Sequence, residues 1–218
     1  MLKVTKVKKP KKALKPKVVP EQGPTKITIA PPQIGVIKVK VKGERMLQNK
    51  LTPEVVAKLK GYWDEVKKAT KNPSVIKSIK KTEAEILVAK THHTSDGKVG
   101  FPAGGFKRGM VNIAQSFGLF KTDIYKGIIV EGDVLPLKFR SVEAHHDMGK
   151  IMGKVPIPTL RPLYRDWEAD LNIKYDRTKF TGEDVVNLVN HAGFYSGLGD
   201  WRPEKNGAFG QYHVAMSR

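Results

Sequence analysis

The stretch GFPAGGFKRGMVNIAQSFGLFKTDIYKGIIVEGDVLPLKF, residues 100–139, joins a glycine-rich loop to a helical pattern and then to a strand pattern. The predicted helix has apolar residues at every third or fourth position. These are Phe106, Met110, Ile113, Ala114 and Phe117. The β-branched run that begins at Gly127 predicts a strand pair or one bent strand. A helix followed directly by strands indicates an α+β domain.

Two predicted elements precede this stretch. Ile37, Val39 and Val41 alternate with lysines, which predicts a strand with one buried face. Thr52 is a suitable N-cap and Pro53 suits the first helical position, so a helix is predicted over 52–69.

The next predicted elements lie between that helix and the quoted stretch. A short helix is predicted around Val75–Ile79. A strand centred on Ile86, Leu87 and Val88 follows.

The C-terminal third adds a strand, a helix and a last strand. Leu171, Ile173 and Tyr175 alternate with polar residues, which predicts the strand. Thr181 is the predicted N-cap of the helix and Gly193 its predicted C-cap. Aromatic and β-branched residues predict the last short strand, and these are Phe209, Tyr212 and Val214.

From residue 83 the predicted order is strand, helix, strand, strand, helix, strand. That order indicates a ferredoxin-like, RNA-recognition-like βαββαβ core. Residues 27–218 are predicted to form this single domain, with a helical insertion at about 52–81. The strand at 35–42 is expected to extend the sheet. Both helices would cover one sheet face and leave the other free to bind.

The charge of the chain is strongly positive and uneven. The net charge is +19, and residues 1–50 hold thirteen lysines and one arginine against Glu21 and Glu44. Residues 1–26 mix lysine with proline and lack aromatics, which predicts an extended, disordered arm. Such an arm can neutralise nucleic-acid phosphates in a salt-sensitive way. The alternatives are that residues 1–26 form a solubilising or partner-binding tail, or that they contact an anionic membrane or an acidic protein.

Composition also excludes several classes. The chain has no cysteine, so disulfide frameworks and thiolate metal sites are excluded. No apolar stretch approaches the ~20 residues of a membrane span, and the charged N-terminus lacks the apolar core of a secretory signal.

The stretch GFYSGLGDWRPEKNGAFGQYHV, residues 193–214, is rich in glycine but matches neither a dinucleotide-binding fingerprint nor a P-loop. The backbone amides around Gly197, Gly199 and Gly207 suit phosphates, as do the side chains of Arg202 and Lys205. Three aromatic rings offer stacking planes for bases; they belong to Trp201, Phe209 and Tyr212. Alternatively, Trp201 packs in the core and Arg202 pairs with Asp200 or Glu204.

Further basic residues are candidate nucleic-acid contacts. Lys107 and Arg108 follow Gly104 and Gly105 at the start of a predicted helix, where free amides attract anions.

Lys38 and Lys40 lie on one face of the first strand, and Arg161 precedes a later strand beside Tyr164 and Trp167. The alternatives are solvated helix and strand faces, with Tyr164 and Trp167 burying one face of the sheet.

Histidine pairs raise the question of catalysis. His92-His93 ends a predicted strand, and His145-His146-Asp147 lies in a predicted polar loop. Adjacent histidines on a strand point to opposite faces, so each pair supplies one metal ligand easily. We therefore expect no metal site, no cofactor and no catalytic residue. In the minority interpretation, His92 or His146 acts with a lysine or tyrosine in an endoribonuclease.

Two resemblances extend this interpretation. GFPAGGFKRGM resembles the loop-and-helix signature of the CRISPR-associated RAMP superfamily, and GLGDWRPEKNGAFGQYHV resembles that superfamily's glycine-rich loop before a last strand. The resemblance implies an RNA-recognition-like fold that holds RNA as a backbone subunit or as an endoribonuclease. Residues 83–215 also resemble small tailed-phage proteins that end in a Gly-x-Gly-(Asp/Glu)-Trp-Arg-Pro-Glu-Lys block, which implies a bacteriophage origin.

Together these features predict a protein that binds RNA or single-stranded DNA and is not an enzyme. The alternative is a phage structural or assembly protein, a homo-oligomer or filament whose arm contacts packaged DNA or neighbouring subunits. A RAMP-like endoribonuclease is the third candidate. The expected location is the host-cell cytoplasm or the virion, with no membrane partner.

Overall fold

The computed structural model describes residues 30–68, 73–151 and 155–215. The predicted basic arm, residues 1–26, lies outside them. Within the described residues the α-helices are α1 (Pro53–Lys68), α2 (Pro73–Ala89), α3 (Ala103–Ile113), α4 (Lys121–Gly127) and α5 (Gly182–His191). None of these helices combines the length and apolar character needed to cross a membrane.

Eight strands are present in the same residues. They are β1 (Ile34–Leu47), β2 (His92–His93), β3 (Val99–Pro102), β4 (Ile128–Val130), β5 (Val134–Pro136), β6 (Ser141–Ile151), β7 (Val155–Asp176) and β8 (His213–Val214). The fold is therefore α+β, as the sequence predicts.

The main sheet is antiparallel and centred on two long strands. Its order is β4-β7-β1-β8, and β6 also pairs with β7. The register between β1 and β7 runs from Ile34 opposite Asp176 to Leu47 opposite Leu163. A smaller sheet has the order β2-β3-β5. The predicted strand pair after Gly127 is thus two strands, β4 and β5, that join different sheets.

Alternation along β1 and β7 gives the main sheet a buried face. Val39 and Val41 of β1 and Leu171 of β7 are buried, whereas the lysines between the valines are exposed. The buried face packs on α3 and α5 through Met110 and Val185, and all five side chains belong to one hydrophobic core. The helices α3 and α5 therefore cover this face, as expected.

Helix α1 begins as predicted, because the backbone N–H of Val55 donates to the Thr52 hydroxyl (3.3 Å). The strand predicted at 86–88 is wrong, since these residues lie in α2. Ile86 is fully buried in a cluster with Tyr62 of α1 and Leu160 of β7. A short apolar run does not distinguish strand from helix by itself, and packing against α1 decides the outcome here.

The loop predicted for His145-His146-Asp147 is also wrong. These residues lie in β6, where His145 is opposite Arg161 of β7. The segment 161–167 likewise lies inside β7 and does not precede a strand. Strand β6 pairs only with β7 among the described strands, so one edge and one face are solvated and polar side chains are tolerated.

Helix α5 has the predicted cap at Thr181, where the hydroxyl accepts from the backbone N–H of Asp184 (3.1 Å). Its predicted end at Gly193 is wrong. A π-helical turn, Ala192–Ser196, continues the helix, and Gly197 ends it with φ of 67°. Gly193 is needed for another reason: a Cβ there would overlap the carbonyl oxygen of Tyr212.

Candidate functional site

The glycine-rich segment 197–210 is held in place by backbone contacts with the end of β1. The N–H of Asp200 donates to the carbonyl of Leu47 (2.8 Å), and the N–H of Gly210 donates to that of Arg45 (2.6 Å). Gly199 has φ of 76° and lies so close to Leu47 that a Cβ would overlap its carbonyl oxygen. The segment is therefore a folded loop with a defined position on β1.

This loop presents two aromatic rings side by side. The rings of Trp201 and Phe209 are nearly parallel, with centroids 6.2 Å apart and an interplanar angle of 17°. The N–H of Phe209 donates to the carbonyl of Trp201 (3.1 Å), which ties the two residues together. Trp201 has φ of 50° and keeps 41% of its surface exposed.

Each ring has a guanidinium over its face. The Arg45 guanidinium lies 5.2 Å from the Phe209 centroid, and that of Arg161 lies 5.6 Å from the Trp201 ring. We call Arg45, Arg161, Trp201 and Phe209 the aromatic–arginine cluster. Contacts of this kind hold cations over aromatic rings and place positive charge beside exposed apolar surface.

Arg161 also belongs to a buried polar network beneath the loop. It is 6% exposed and donates to Asp147 and to Asp200, each at 2.7 Å. Asn49 donates to the same Asp200 carboxylate at 3.0 Å. Two carboxylates thus hold the guanidinium in place. Arg161 packs over the Trp201 ring, and its burial keeps it away from a ligand on the surface.

Lys90 is an unusual neighbour of this network. Its side chain is 1% exposed, and the described residues offer its amine neither an ion pair nor a hydrogen bond. Burial, and then the positive charge of Arg161, lower the pKa of Lys90 to about 8, while Asp200 opposes the shift. The interior beneath the loop therefore holds two cations, Lys90 and Arg161, and two carboxylates, Asp147 and Asp200.

His145 completes the surroundings of the cluster. Its ring packs edge-on against Phe209, with centroids 5.2 Å apart. Burial and then the charge of Arg161 lower the pKa of His145, which favours the neutral imidazole. Its Nε2 is buried without a hydrogen-bond partner among the described residues, and Asp147 lies 3.9 Å away.

The other predicted residues of this loop differ in their availability. Arg202 donates to the Glu204 carboxylate (2.8 Å) and to the carbonyl of Gly199 (3.0 Å), so its guanidinium is engaged internally. Lys205 is exposed and has no ion pair among the described side chains. Gly207 lies in close contact with the carbonyl of Trp201.

Tyr212 is placed inside the core. It is 4% exposed, and its ring packs edge-on against Phe106 and Trp167, with centroids 5.8 and 5.9 Å away. Its burial leaves no ring face open to a base.

The second predicted glycine segment abuts the first. Gly104 and Gly105 lie in the first turn of α3, and the Leu198 side chain packs against the position of Gly105. The Lys107 amine lies 4.9 Å from the Tyr125 ring centroid, and Arg108 is exposed without a partner in the described part of the chain. The structure therefore brings the two glycine segments together through Leu198.

The predicted lysines of β1 lie on the open face of the main sheet. Lys40 pairs with Glu168 (3.9 Å) and Asp170 (3.8 Å), and Lys42 pairs with Glu168 (3.5 Å). Lys38 is exposed and has no ion pair with a described side chain. Acidic residues of β7 thus neutralise much of the positive charge on this face.

The two histidines considered for catalysis lie in different surroundings. His92 packs edge-on against Phe101 (5.7 Å), and its pKa is lowered by burial and by Lys50. His146 is exposed and lies 3.3 Å from the Glu83 carboxylate. Across the described residues no group of three or more histidine, aspartate or glutamate side chains is arranged to hold a metal ion.

Sequence reasoning missed Arg45, Lys90 and His145 as members of the site. Lys90 follows the apolar run ILVA, and a lysine beside such a run is a candidate for burial. His145 was considered only as half of a polar pair. Nothing in the sequence relates Arg45 to Phe209, because that contact depends on the path of the loop along β1.

No protein-family model matches the chain, and no curated protein matches it. The case for a function therefore rests on the aromatic–arginine cluster and on the charge of the chain.

Proposed function

We propose that the protein binds single-stranded nucleic acid, RNA or single-stranded DNA, at the aromatic–arginine cluster. The observation that carries the proposal is the pair of nearly parallel rings, the exposed Trp201 and the half-buried Phe209, with an arginine over each. Exposed aromatic rings provide stacking planes for unpaired bases, and nearby arginines attract phosphates and stack on bases. The bound strand also contacts the basic arm, residues 1–26.

The charges around the cluster support an anionic ligand. Lys205 and Arg45 are exposed beside the rings, and neither forms an ion pair with a described side chain. The net charge of +19 favours association with a polyanion.

The open face of the main sheet is a weaker candidate for this role. Its exposed side chains on β1 and the middle of β7 include lysines paired with Glu168 and Asp170, and no aromatic ring is among those described there. A sheet face of mixed charge that offers no aromatic ring for base stacking is better suited to contact with solvent than to binding bases. We therefore place the bound nucleic-acid strand at the loop that carries Trp201 and not on the open face of the sheet.

We also propose that the core has ferredoxin-like, RNA-recognition-like topology. Six elements follow in the order β1, α3, β4, β7, α5, β8, and the sheet order is β4-β7-β1-β8. Antiparallel pairing of all neighbours makes β1 parallel to β4 and β7 parallel to β8, as two split β-α-β units require. In this interpretation α1, α2, β2 and β3 are inserted before α3.

Binding is tested with the full chain and fluorescein-labelled single strands of RNA and DNA, by anisotropy at low salt. We expect Trp201→Ala to weaken binding about 5- to 100-fold, since one stacked base is worth ~1–3 kcal/mol. Phe120→Ala is the control, because Phe120 is an exposed aromatic (74% exposed) outside the aromatic–arginine cluster, and its loss should leave affinity unchanged. Absence of binding to any single strand at low salt would overturn the proposal.

A second candidate function, assembly with copies of the same chain, is favoured by another surface. Phe117, Phe194 and Tyr195 are 41–60% exposed, and the ring of His191 packs near those of Phe117 and Tyr195, with centroids 4.5 and 6.1 Å away. Exposed clusters of this kind mark interaction sites. Light scattering after nuclease treatment tests it: an oligomer that persists and is lost in Tyr195→Ser supports assembly, and a monomer excludes it.

A further inference from the structure

A small pocket lies beside the aromatic–arginine cluster. Its volume is about 270 Å³, and its lining includes Glu44, Arg45, Phe194, Gln211 and His213. Ligand pockets typically measure ~300–1,000 Å³, so this one has room for about one base and not for several nucleotides.

The pocket and the cluster share a wall. Arg45 lines the pocket and also lies over the Phe209 ring, and Ala208, which precedes Phe209, lines the pocket as well. A strand whose base stacks at Trp201 or Phe209 can therefore place a neighbouring base in the pocket.

The pocket offers two side-chain acceptors, on Glu44 and Gln211, beside the donor guanidinium of Arg45. Glu44 is exposed, and its carboxylate has no ion pair or hydrogen bond within the described part of the chain. The Gln211 side-chain N–H donates to the carbonyl of Phe194 (3.2 Å), which leaves its Oε1 as an acceptor. The ring of Phe194 is 60% exposed and supplies an apolar surface.

The Glu44 carboxylate repels a phosphate and so opposes the attraction of Arg45 in the same lining. It favours a group that presents hydrogen-bond donors. Carboxylates accept from the amino groups of bases, and single-stranded bases present their Watson–Crick edges for such contacts. Guanine presents adjacent N1–H and N2–H donors, which match the two oxygens of a carboxylate, while uracil and thymine present a single N3–H.

We propose that this pocket is a base-recognition subsite that prefers guanine, with the Watson–Crick edge of the base on Glu44 and its ring on Phe194. Adenine and cytosine, which each have one amino group, bind with intermediate affinity, and uracil or thymine binds most weakly. The inference rests on the proposed nucleic-acid function and adds a sequence preference to it.

The test uses the full chain and labelled oligouridylates that carry one central guanine, adenine, cytosine or uracil. We expect the guanine oligonucleotide to bind at least five times more tightly than the all-uracil one, since a good bidentate contact is worth ~1–3 kcal/mol. Glu44→Gln should abolish this ratio and leave binding to the all-uracil strand unchanged or slightly stronger.

Glu65→Gln is the matched control. Glu65 is exposed on α1, and its substitution removes the same single negative charge elsewhere. It should preserve the guanine ratio. Phe194→Ala should weaken the guanine oligonucleotide more than the all-uracil one.

The two proposals fail in different ways. Equal binding of all four oligonucleotides, or a guanine ratio that survives Glu44→Gln, overturns the subsite while the nucleic-acid function stands. Failure of every oligonucleotide to bind overturns both.

Discussion

Lys90 is a charged residue whose side chain is almost fully buried. Its side chain is buried next to the guanidinium of Arg161 without an ion pair among the described residues, and Asp200 offsets only part of the cost. Burying an unpaired ammonium costs free energy, and the lowered pKa reports that cost. A buried lysine of this kind lowers the stability of the fold, which is consistent with a role for its charge beneath the proposed site.

We expect Lys90→Met to stabilise the protein at pH 7 by about 1–3 kcal/mol. At this pH the amine is protonated in both states, so the folded state bears the full penalty. Between pH 8 and pH 10.5 the unfolded state binds more protons than the folded one, so wild-type stability rises and the difference narrows.

Urea unfolding at pH 7 and pH 9.5 measures the effect of this substitution. Lys126→Met, at an exposed lysine of α4, is the control and should change little. A stabilisation of Lys90→Met that stays constant between the two pH values would contradict the assignment of the low pKa to this amine.

At the scale of elements, α5 shows how local sequence and packing combine. Thr181 and Asp184 exchange hydrogen bonds between side chains and backbone at the first turn, and Val185 and Leu188 fall on the buried face. The π turn Ala192–Ser196 then shifts the helix end and leads into the glycine loop. Helix α5 therefore sets where the loop that carries Trp201 begins.

We expect Thr181→Ala to destabilise the protein by about 1 kcal/mol, because loss of an N-cap leaves a backbone N–H of the first turn unpaired. Thr122→Ala, at an exposed threonine in the first turn of α4, is the control. Chemical denaturation measures both variants. Equal stability of the two would show that the cap at Thr181 contributes nothing.

The sequence predicts elements well where periodicity is supported by a cap or by long alternation. Helix α1 has Thr52 and Pro53 at its start, and β1 alternates strictly over several residues. The apolar run at 86–88 has neither signal. The polar sequence of β6 does not indicate a strand either, because hydrogen bonds to β7 hold that strand in place. Cross-strand pairing leaves no mark on the sequence of an edge strand with a solvated face.

At the scale of the whole molecule, charge is distributed between the arm and the domain. Residues 1–26 include nine lysines against one glutamate, and we expect them to attract phosphates whatever the sequence of the nucleic acid. Base stacking at Trp201 depends much less on salt. The two contributions should therefore separate in a salt titration.

We expect replacement of the nine arm lysines by glutamine to flatten the dependence of log K on log salt by several units. Each lost phosphate contact lowers the slope by ~0.7 for a single strand. The ratio of binding affinities with and without the Trp201→Ala substitution should be the same in the arm variant as in the wild-type background. An unchanged slope would show that the arm makes no phosphate contacts.

Composition and periodicity determine that this chain is a basic α+β protein with helices at α1, α3 and α5 and a strand at β1, because capping, helical spacing and alternation are local properties. They also single out the aromatic and basic residues of the last glycine-rich stretch. Tertiary structure alone decides which of these residues are available. It buries Tyr212, engages Arg202 with Glu204, and brings Arg45 over Phe209 through backbone pairing of the loop with β1. Burial and long-range contact depend on how distant segments pack, and no local pattern encodes them.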